Sequence, residues 1–220
     1  MPAKILPVIH YLDRATAVSE ADKAAQCSAD GIFLISHHGN DYELLDVGME
    51  LRARLPGFPI GINLLSMDAE TAAAQALARG YPMLWGDDMG VDSQGLHAPG
   101  RAVATACRAT VGQPMQVFAS VAFKYRPPEP DPAGAALNAL KAGFIPTTSG
   151  SGTGSAPEVS KIKLMSEAAN GTLAVASGMT PDNVSQYSAY LSHILVATGV
   201  SLDEYRLHEG KLRALIANAK

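Results

Sequence analysis

The sequence predicts an α/β fold, a single closed (β/α)8 TIM barrel that takes in residues 1–220. Short apolar runs rich in Val, Ile and Leu alternate with longer, Ala-rich amphipathic segments. Eight of each occur in 220 residues, about 27 residues per unit, which is the economy of a barrel whose usual length is about 250 residues.

The runs are Ile5–Ile9, Gly31–Ile35, Pro59–Leu64, Met83–Trp85, Gln116–Ala122, Phe144–Thr147, Leu173–Ala176 and His193–Ala197. Each is too short for a helix and too evenly apolar for a strand with one wet face, so they read as parallel strands buried on both sides. The intervening segments read as helices: Ala17–Ala29, Tyr42–Arg54, Ala69–Arg79, Gly100–Thr110, Ala133–Ala142, Pro157–Ala169, Pro181–Tyr190 and Leu202–Ala217. Asp68, Ser155 and Thr180 are hydroxyl or carboxylate caps, the last two followed by a proline in the first turn, and Gly143 and Gly171 stand where helices end. The rival is a doubly wound open sheet, which would carry GxGxxG after its first strand; the first turn here, His10-Tyr-Leu-Asp-Arg-Ala, has no glycine. The proline-rich stretch from Arg126 to Pro132 reads as a stiff loop within one domain.

Composition narrows the partners. Hydrophobic residues make up 47% and charged residues 17% of the chain, an ordinary globular balance. The net charge of −4 argues against a nucleic-acid backbone or an anionic membrane as the main partner, while leaving room for a local phosphate site. The two cysteines, Cys27 and Cys107, are too few for a disulfide framework or a thiolate metal site. Residues 1–10 lack the long apolar core of a signal peptide, and no stretch reaches the roughly 18 apolar residues of a membrane helix. The expectation is a cytoplasmic protein without membrane insertion, and a homo-oligomer stays open.

In a barrel of this kind chemistry sits at the C-terminal strand ends. The informative residues there come late. The sixth run leads into Thr147-Thr-Ser-Gly-Ser-Gly-Thr-Gly-Ser155, the seventh into Ser177-Gly-Met-Thr-Pro-Asp-Asn183 and the eighth into Thr198-Gly-Val-Ser201. Glycine lets the backbone approach a ligand and aim N–H groups at it, and helix N-termini add partial positive charge. Gly150, Gly152, Thr153, Gly154, Ser177, Gly178, Thr198 and Gly199 are therefore expected to cradle a phosphate, with Ser149 beside them on the substrate; the plain alternative is a set of tight βα turns.

Candidates for proton transfer stand on other strand ends. Lys124 ends the fifth strand and is placed to pair with an anion, act as acid or base, or form a Schiff base. Asp87 and Asp88 end the fourth; adjacent carboxylates point apart, so one of the two is expected to reach the site, as a base or a stabiliser of an oxocarbenium-like centre. Asn63 is an amide within an apolar strand and needs a partner, a substrate hydroxyl or a neighbouring loop. His10 and His37 end the first two strands, with His38 adjacent, and one of them is expected to orient or protonate substrate. No cofactor is expected; a divalent metal on His10, His37 and Asp87 is the minor alternative. There is no Gly-x-Ser-x-Gly for a Ser/His/Asp triad.

These residues together resemble the BtpA family of phosphate-binding (β/α)8 barrels, of the ribulose-phosphate-binding-like type. Val8-Ile-His-Tyr-Leu is similar to the family's Met-Val-His-Leu, and Gly61-Ile-Asn-Leu-Leu-Ser-Met-Asp68 to its Gly-Val-Asn-Val-Leu-x-Asn-Asp. Asp92-Ser-Gln-Gly-Leu, Val121-Ala-Phe-Lys124, Ser149-Gly-Ser-Gly-Thr-Gly154 and Ala176-Ser-Gly-Met-Thr-Pro-Asp-Asn183 fall on family motifs as well. Departures mark a divergent member: Ser36 and His37 stand where the family has Glu and Asn, and Ala197-Thr-Gly-Val-Ser replaces Gly-Thr-Ser-x-Lys. The late-strand motifs are also similar, at fewer residues, to phosphoribosylanthranilate isomerase.

The resemblance implies a phosphate-binding barrel and, by context, nucleoside or sugar metabolism. Residues and resemblance together lead to an enzyme on a phosphorylated small molecule, phosphoribosyl or nucleotide-like. Glycosidic-bond cleavage or transfer is the first reaction class. Sugar-phosphate isomerisation or aldol chemistry through Lys124 is the second, and a non-catalytic assembly or ligand-binding factor the third.

Overall fold

The computed structural model of the chain describes residues 2–112 and 114–220. Eight parallel strands close in the order β1-β10-β9-β8-β7-β4-β3-β2. They are β1 (Lys4–His10), β2 (Ile32–Ile35), β3 (Ile60–Asn63), β4 (Met83–Gly86), β7 (Gln116–Ser120), β8 (Ile145–Thr148), β9 (Ala174–Ala176) and β10 (His193–Val196). A short antiparallel hairpin, β5 (Val91–Asp92) with β6 (Gly95–Leu96), interrupts the sequence between β4 and β7. The helices are α1 (Arg14–Gln26), α2 (Asp41–Arg54), α3 (Ala69–Ala78), α4 (Ala98–Ala109), α5 (Pro132–Ala142), α6 (Val159–Ala168) and α7 (Glu209–Asn218).

Alternation along the strands explains their uniform apolarity. Leu6, Val8, Phe33, Ile35, Phe118 and Leu195 point into the barrel, while Ile5, Ile9, Ile32, Leu34, Val117 and Ile194 point out against the helices. Both faces are dry, so neither needs a polar residue. Phe33 fills the interior edge-on to Phe118 at 5.1 Å and to Trp85 at 5.9 Å between ring centroids. Gly61 makes room for it, since a Cβ there would lie 2.4 Å from the Phe33 ring. Trp85 is also inside, its indole N–H donating to the Ser120 hydroxyl at 3.0 Å.

The caps follow the side-chain chemistry. Asp13, Asp68 and Asp131 accept from the backbone N–H groups of Thr16, Thr71 and Gly134 at 2.7–2.9 Å. Asp13 starts α1 three residues before the expected Ala17, and Gly143 ends α5 at φ 87°.

Two expected helices differ. Residues 181–190 form two 3-10 turns, Val184–Gln186 and Ser188–Tyr190, in place of a helix. Asn183 is the reason: its side chain accepts from Thr180 N at 2.8 Å and donates to Gly178 O at 2.9 Å, offering the backbone a rival to helical pairing. Residues 202–208 precede α7 as a loop. There Asp203 accepts from the N–H groups of Tyr205 and Arg206, and Leu202 N pairs with Arg206 O at 2.7 Å.

Candidate functional site

The turns after β8, β9 and β10 pack backbone on backbone at the C-terminal end of the barrel. Gly178 has φ 72°, and a Cβ on it would lie 2.2 Å from Ala156 N. A Cβ on Gly199 would lie 1.9 Å from Met179 O. No side chain fits at either place, so the three turns approach as bare main chain. Ser177, between β9 and Gly178, is held at φ 151°, unusual for a residue with a side chain.

These turns wall a hollow of about 160 Å³ in the barrel mouth. Thr153, Gly154, Ser177, Gly178, Thr198 and Gly199 line one side. Lys124, Asp87, His10 and His37 line the other, over a floor of Val8, Trp85, Phe123 and Leu195. Ten residues singled out in the sequence thus face one space. On the outer side of the same turns, a second hollow is lined by Gly178, Thr198, Gly199, His208 and Lys211.

Other candidates are placed elsewhere. Ser149, expected on substrate, is fully buried; its hydroxyl accepts from Lys124 N at 2.7 Å and donates to Gly150 O at 2.9 Å. Gly150 lies under Ser155, its Cβ position 2.1 Å from Ser155 O. Gly152 offers its carbonyl to the Ser177 hydroxyl at 2.9 Å, so that hydroxyl is engaged within the loops. Asp88 turns away from the hollow to Arg126 at 3.1 Å and accepts from Gly90 N at 2.9 Å. Asn63 lines an adjoining cleft rather than the hollow. His38 is exposed and does not line the hollow.

Lys124 is held by its neighbours on both sides. Ala122 at φ 48° and Tyr125 at φ 63° bracket it, two left-handed residues with side chains, each costing about 1 kcal/mol or more. The ammonium donates to Thr153 Oγ1 at 3.3 Å and lies 5.8 and 5.7 Å from the Phe123 and Tyr125 ring centroids. Beneath it Lys161, from α6, donates to Ala122 O at 2.7 Å and Ser149 O at 2.9 Å. Burial holds the Lys161 ammonium below its usual pKa. Among the described residues neither lysine forms an ion pair with a carboxylate.

Opposite stands Asp87. The residue is exposed overall, yet the walls of the mouth strip hydration from its carboxyl and raise its pKa from the ordinary value. The Asn63 amide, then Lys124, Arg126 and His37, pull it back down. The pKa of His10 is held low, first by burial and then by His37, with Glu204 opposing and Lys124 adding to the lowering. The two imidazoles meet edge-on at 5.2 Å, and His10 Nδ1 is buried without a hydrogen-bond partner. Among the described residues no three His, Cys, Asp or Glu side chains are grouped to hold a metal ion. The arrangement can therefore hold an anion at the glycine turns, with a cation and a carboxylate of raised pKa across the gap.

Sequence reasoning missed Lys161 and Lys211. Both lie on helices and reach the strand ends only through packing, although Gly210-Lys211 at a helix start after the last strand is a readable sign.

Compared with protein-family models and with curated protein sequences, the chain matches none. Among solved structures it is similar to 3-hexulose-6-phosphate synthase, with TM-score 0.74 and 16% identity over 98% of this chain and 99% of that one. It is similar to 3-keto-L-gulonate-6-phosphate decarboxylase from Vibrio cholerae, with TM-score 0.71 and 12% identity over 100% and 98%. Phosphoribosyl anthranilate isomerase from Thermus thermophilus gives TM-score 0.66 and 15% identity over 98% and 97%. At such identities the likeness is one of fold: a closed, eight-stranded parallel β/α barrel. No helix among the described residues is long and apolar enough to cross a membrane.

Proposed function

We propose that the chain is an enzyme acting on a phosphorylated small molecule, phosphoribosyl or nucleotide-like, by proton transfer between Lys124, Asp87 and the substrate. The carrying observation is the convergence of three bare-backbone turns with Lys124 and Asp87 on one hollow. Main-chain N–H groups suit a phosphate. A carboxylate with raised pKa suits proton abstraction near neutral pH, and an ammonium across from it suits the oxygen on which charge develops. Sugar-phosphate isomerisation or lyase chemistry fits that pair. The neighbours' names support it, being those of an isomerase, a synthase, a decarboxylase and an aldolase, several on phosphorylated sugars. The motif likeness to the BtpA family supports the same substrate class.

Glycosidic cleavage is the second reading. Its usual machinery is two carboxylates about 5–9.5 Å apart flanking the bond, whereas here Asp88 is turned to Arg126 and leaves Asp87 as the single acid among the described residues lining the hollow. Asp87 would then stabilise a ribosyl cation.

The test is solvent-deuterium exchange followed by NMR, on a panel of aldose, ketose and phosphoribosyl phosphates, with wild type and Lys124→Met. Exchange or turnover in wild type, reduced about 100-fold or more in the variant, is the expected result. Binding of the panel with equal inertness of both proteins would instead favour a ligand-binding factor.

A further inference from the structure

Beside the hollow, over the ends of β3 and β4, lies a larger cleft of about 540 Å³. The two spaces share Leu65, Trp85 and Asp87. Asn63 stands in the cleft wall, 1% exposed; its amide Nδ2 reaches no acceptor at hydrogen-bond distance, although it faces the Asp87 carboxylate closely enough to favour its ionised form. A buried donor left unpaired costs about 1–3 kcal/mol, and native proteins rarely tolerate one without a reason. Here the donor sits next to the acceptor carboxylate of Asp87, so donor and acceptor line one edge of the same space.

Part of the cleft's border is apolar. Leu64, Leu65, Met67 and Met89 border it, and thioethers adapt well to a flat aromatic face. Gly86 makes room for Met89, whose sulfur would lie 2.2 Å from a Cβ at that position. The charges at the rim are acidic. Asp68, Asp87, Asp88 and Asp92 face Arg126 and His97, and both of those are already engaged, Arg126 by Asp88 and His97 by Asp92. Among the described residues no free cation is left there for a second anion.

We propose that this cleft binds the non-phosphate end of the substrate, and that this end is a planar, amino-bearing heterocycle, neutral or cationic. Its ring acceptor takes the Asn63 amide hydrogen, its amino group donates to Asp87, and its faces lie against the leucines and methionines. The inference rests on the reading that the glycine turns hold the phosphate, and it adds which molecules are chosen. A ring bearing a carboxylate is disfavoured by the acidic rim.

Calorimetry tests it with four probes: ribose 5-phosphate, adenosine 5′-monophosphate, orotidine 5′-monophosphate, whose ring bears a carboxylate, and adenosine. Adenosine 5′-monophosphate is expected to bind about tenfold or more tighter than ribose 5-phosphate, one good buried hydrogen-bonded contact's worth, and orotidine 5′-monophosphate no tighter than ribose 5-phosphate. Asn63→Leu, and Asn63→Asp, which keeps the shape but turns donor into acceptor, are each expected to abolish the adenine gain. If ribose 5-phosphate binds but the adenine adds nothing, or its gain survives both variants, the inference falls and the phosphate reading stands. If ribose 5-phosphate fails to bind, the phosphate reading falls and adenosine decides: Asn63-dependent binding keeps the cleft assignment, and no binding ends it.

Discussion

The backbone N–H of Lys124 donates to the buried hydroxyl of Ser149 at 2.7 Å, across the gap between β7 and β8. One strand end thus aims the lysine with a group rooted in the next. Ser149→Ala leaves that N–H without its acceptor, at a cost of about 1–2 kcal/mol. For a chain of this size that lowers Tm by about 2–8 °C. On the proposed function it also lowers turnover more than it raises KM, because Lys124 loses its aim rather than its charge. Calorimetric melting and steady-state kinetics check the two halves separately.

Gly178 is needed for its missing side chain on two counts, a positive φ and the contact with residues 155 and 156. Gly171 shares the first count, at φ 76°, with nothing within 4 Å of its Cβ position. Gly178→Val is therefore expected to cost about 2–4 kcal/mol, strain and overpacking together, and Gly171→Ala about 1 kcal/mol. Ribose 5-phosphate affinity should drop at least about tenfold in the first and hold in the second. Equal affinities would remove the glycine turns from the binding account.

The barrel was legible because dry packing on both sides of a strand leaves a run without polar interruptions, as at Ile32–Ile35. The turns were legible because Gly178 and Gly199 answer a demand of backbone geometry that no other residue meets. The direction of a side chain within a loop was not. Ser149 and Asp88 look like ligand groups in sequence, and only the packing reveals that each is engaged within the protein, Ser149 by Lys124 N and Gly150 O, Asp88 by Arg126 and Gly90 N. The hairpin over Asp92-Ser-Gln-Gly95 and the 3-10 turns near Asn183 were hidden for a similar reason, since short side-chain-to-backbone bonds compete with the periodic pattern. Lys161 was hidden most completely: its partners are the carbonyls of Ala122 and Ser149, which are 39 and 12 residues away in sequence.

At the other end of the barrel His193 is 7% exposed, edge-on to Phe118, with Nε2 unpartnered. Burial lowers its pKa from 6.5 to about 4, with Lys4 adding a little. The unfolded chain takes up this proton below about pH 6.5, and the folded chain only near 4. Stability therefore falls as pH drops through that window and levels off below it, by an amount on the order of 3 kcal/mol at most. The capping carboxylates Asp13 and Asp68, held low by the N–H groups they accept, lose their contribution only below the ordinary carboxylate range. Urea midpoints between pH 7.5 and 4.5 should decline in wild type and stay flatter in His193→Leu.

Asp87 supplies a test in which a structural role and an electrostatic role predict opposite signs. Burial raises its pKa, and Asn63, Lys124, Arg126 and His37 oppose that rise. Arg126 also braces the mouth, donating to Asp87 O at 2.9 Å and Ser120 O at 3.1 Å while pairing with Asp88. Suppose Arg126 mattered only as a brace. Arg126→Met would then loosen the mouth, let water reach Asp87 and lower its pKa. Should its charge matter, the variant removes one of the cations that favour the ionised carboxylate, and the pKa rises. With ionised Asp87 as the proton acceptor, the acid limb of kcat/KM moves to higher pH in Arg126→Met and stays near its wild-type position in Arg126→Lys. That is the expected outcome. A limb that moves to lower pH would assign Arg126 to bracing alone, and a limb that does not respond to any of these changes would take Asp87 out of the proton-transfer step.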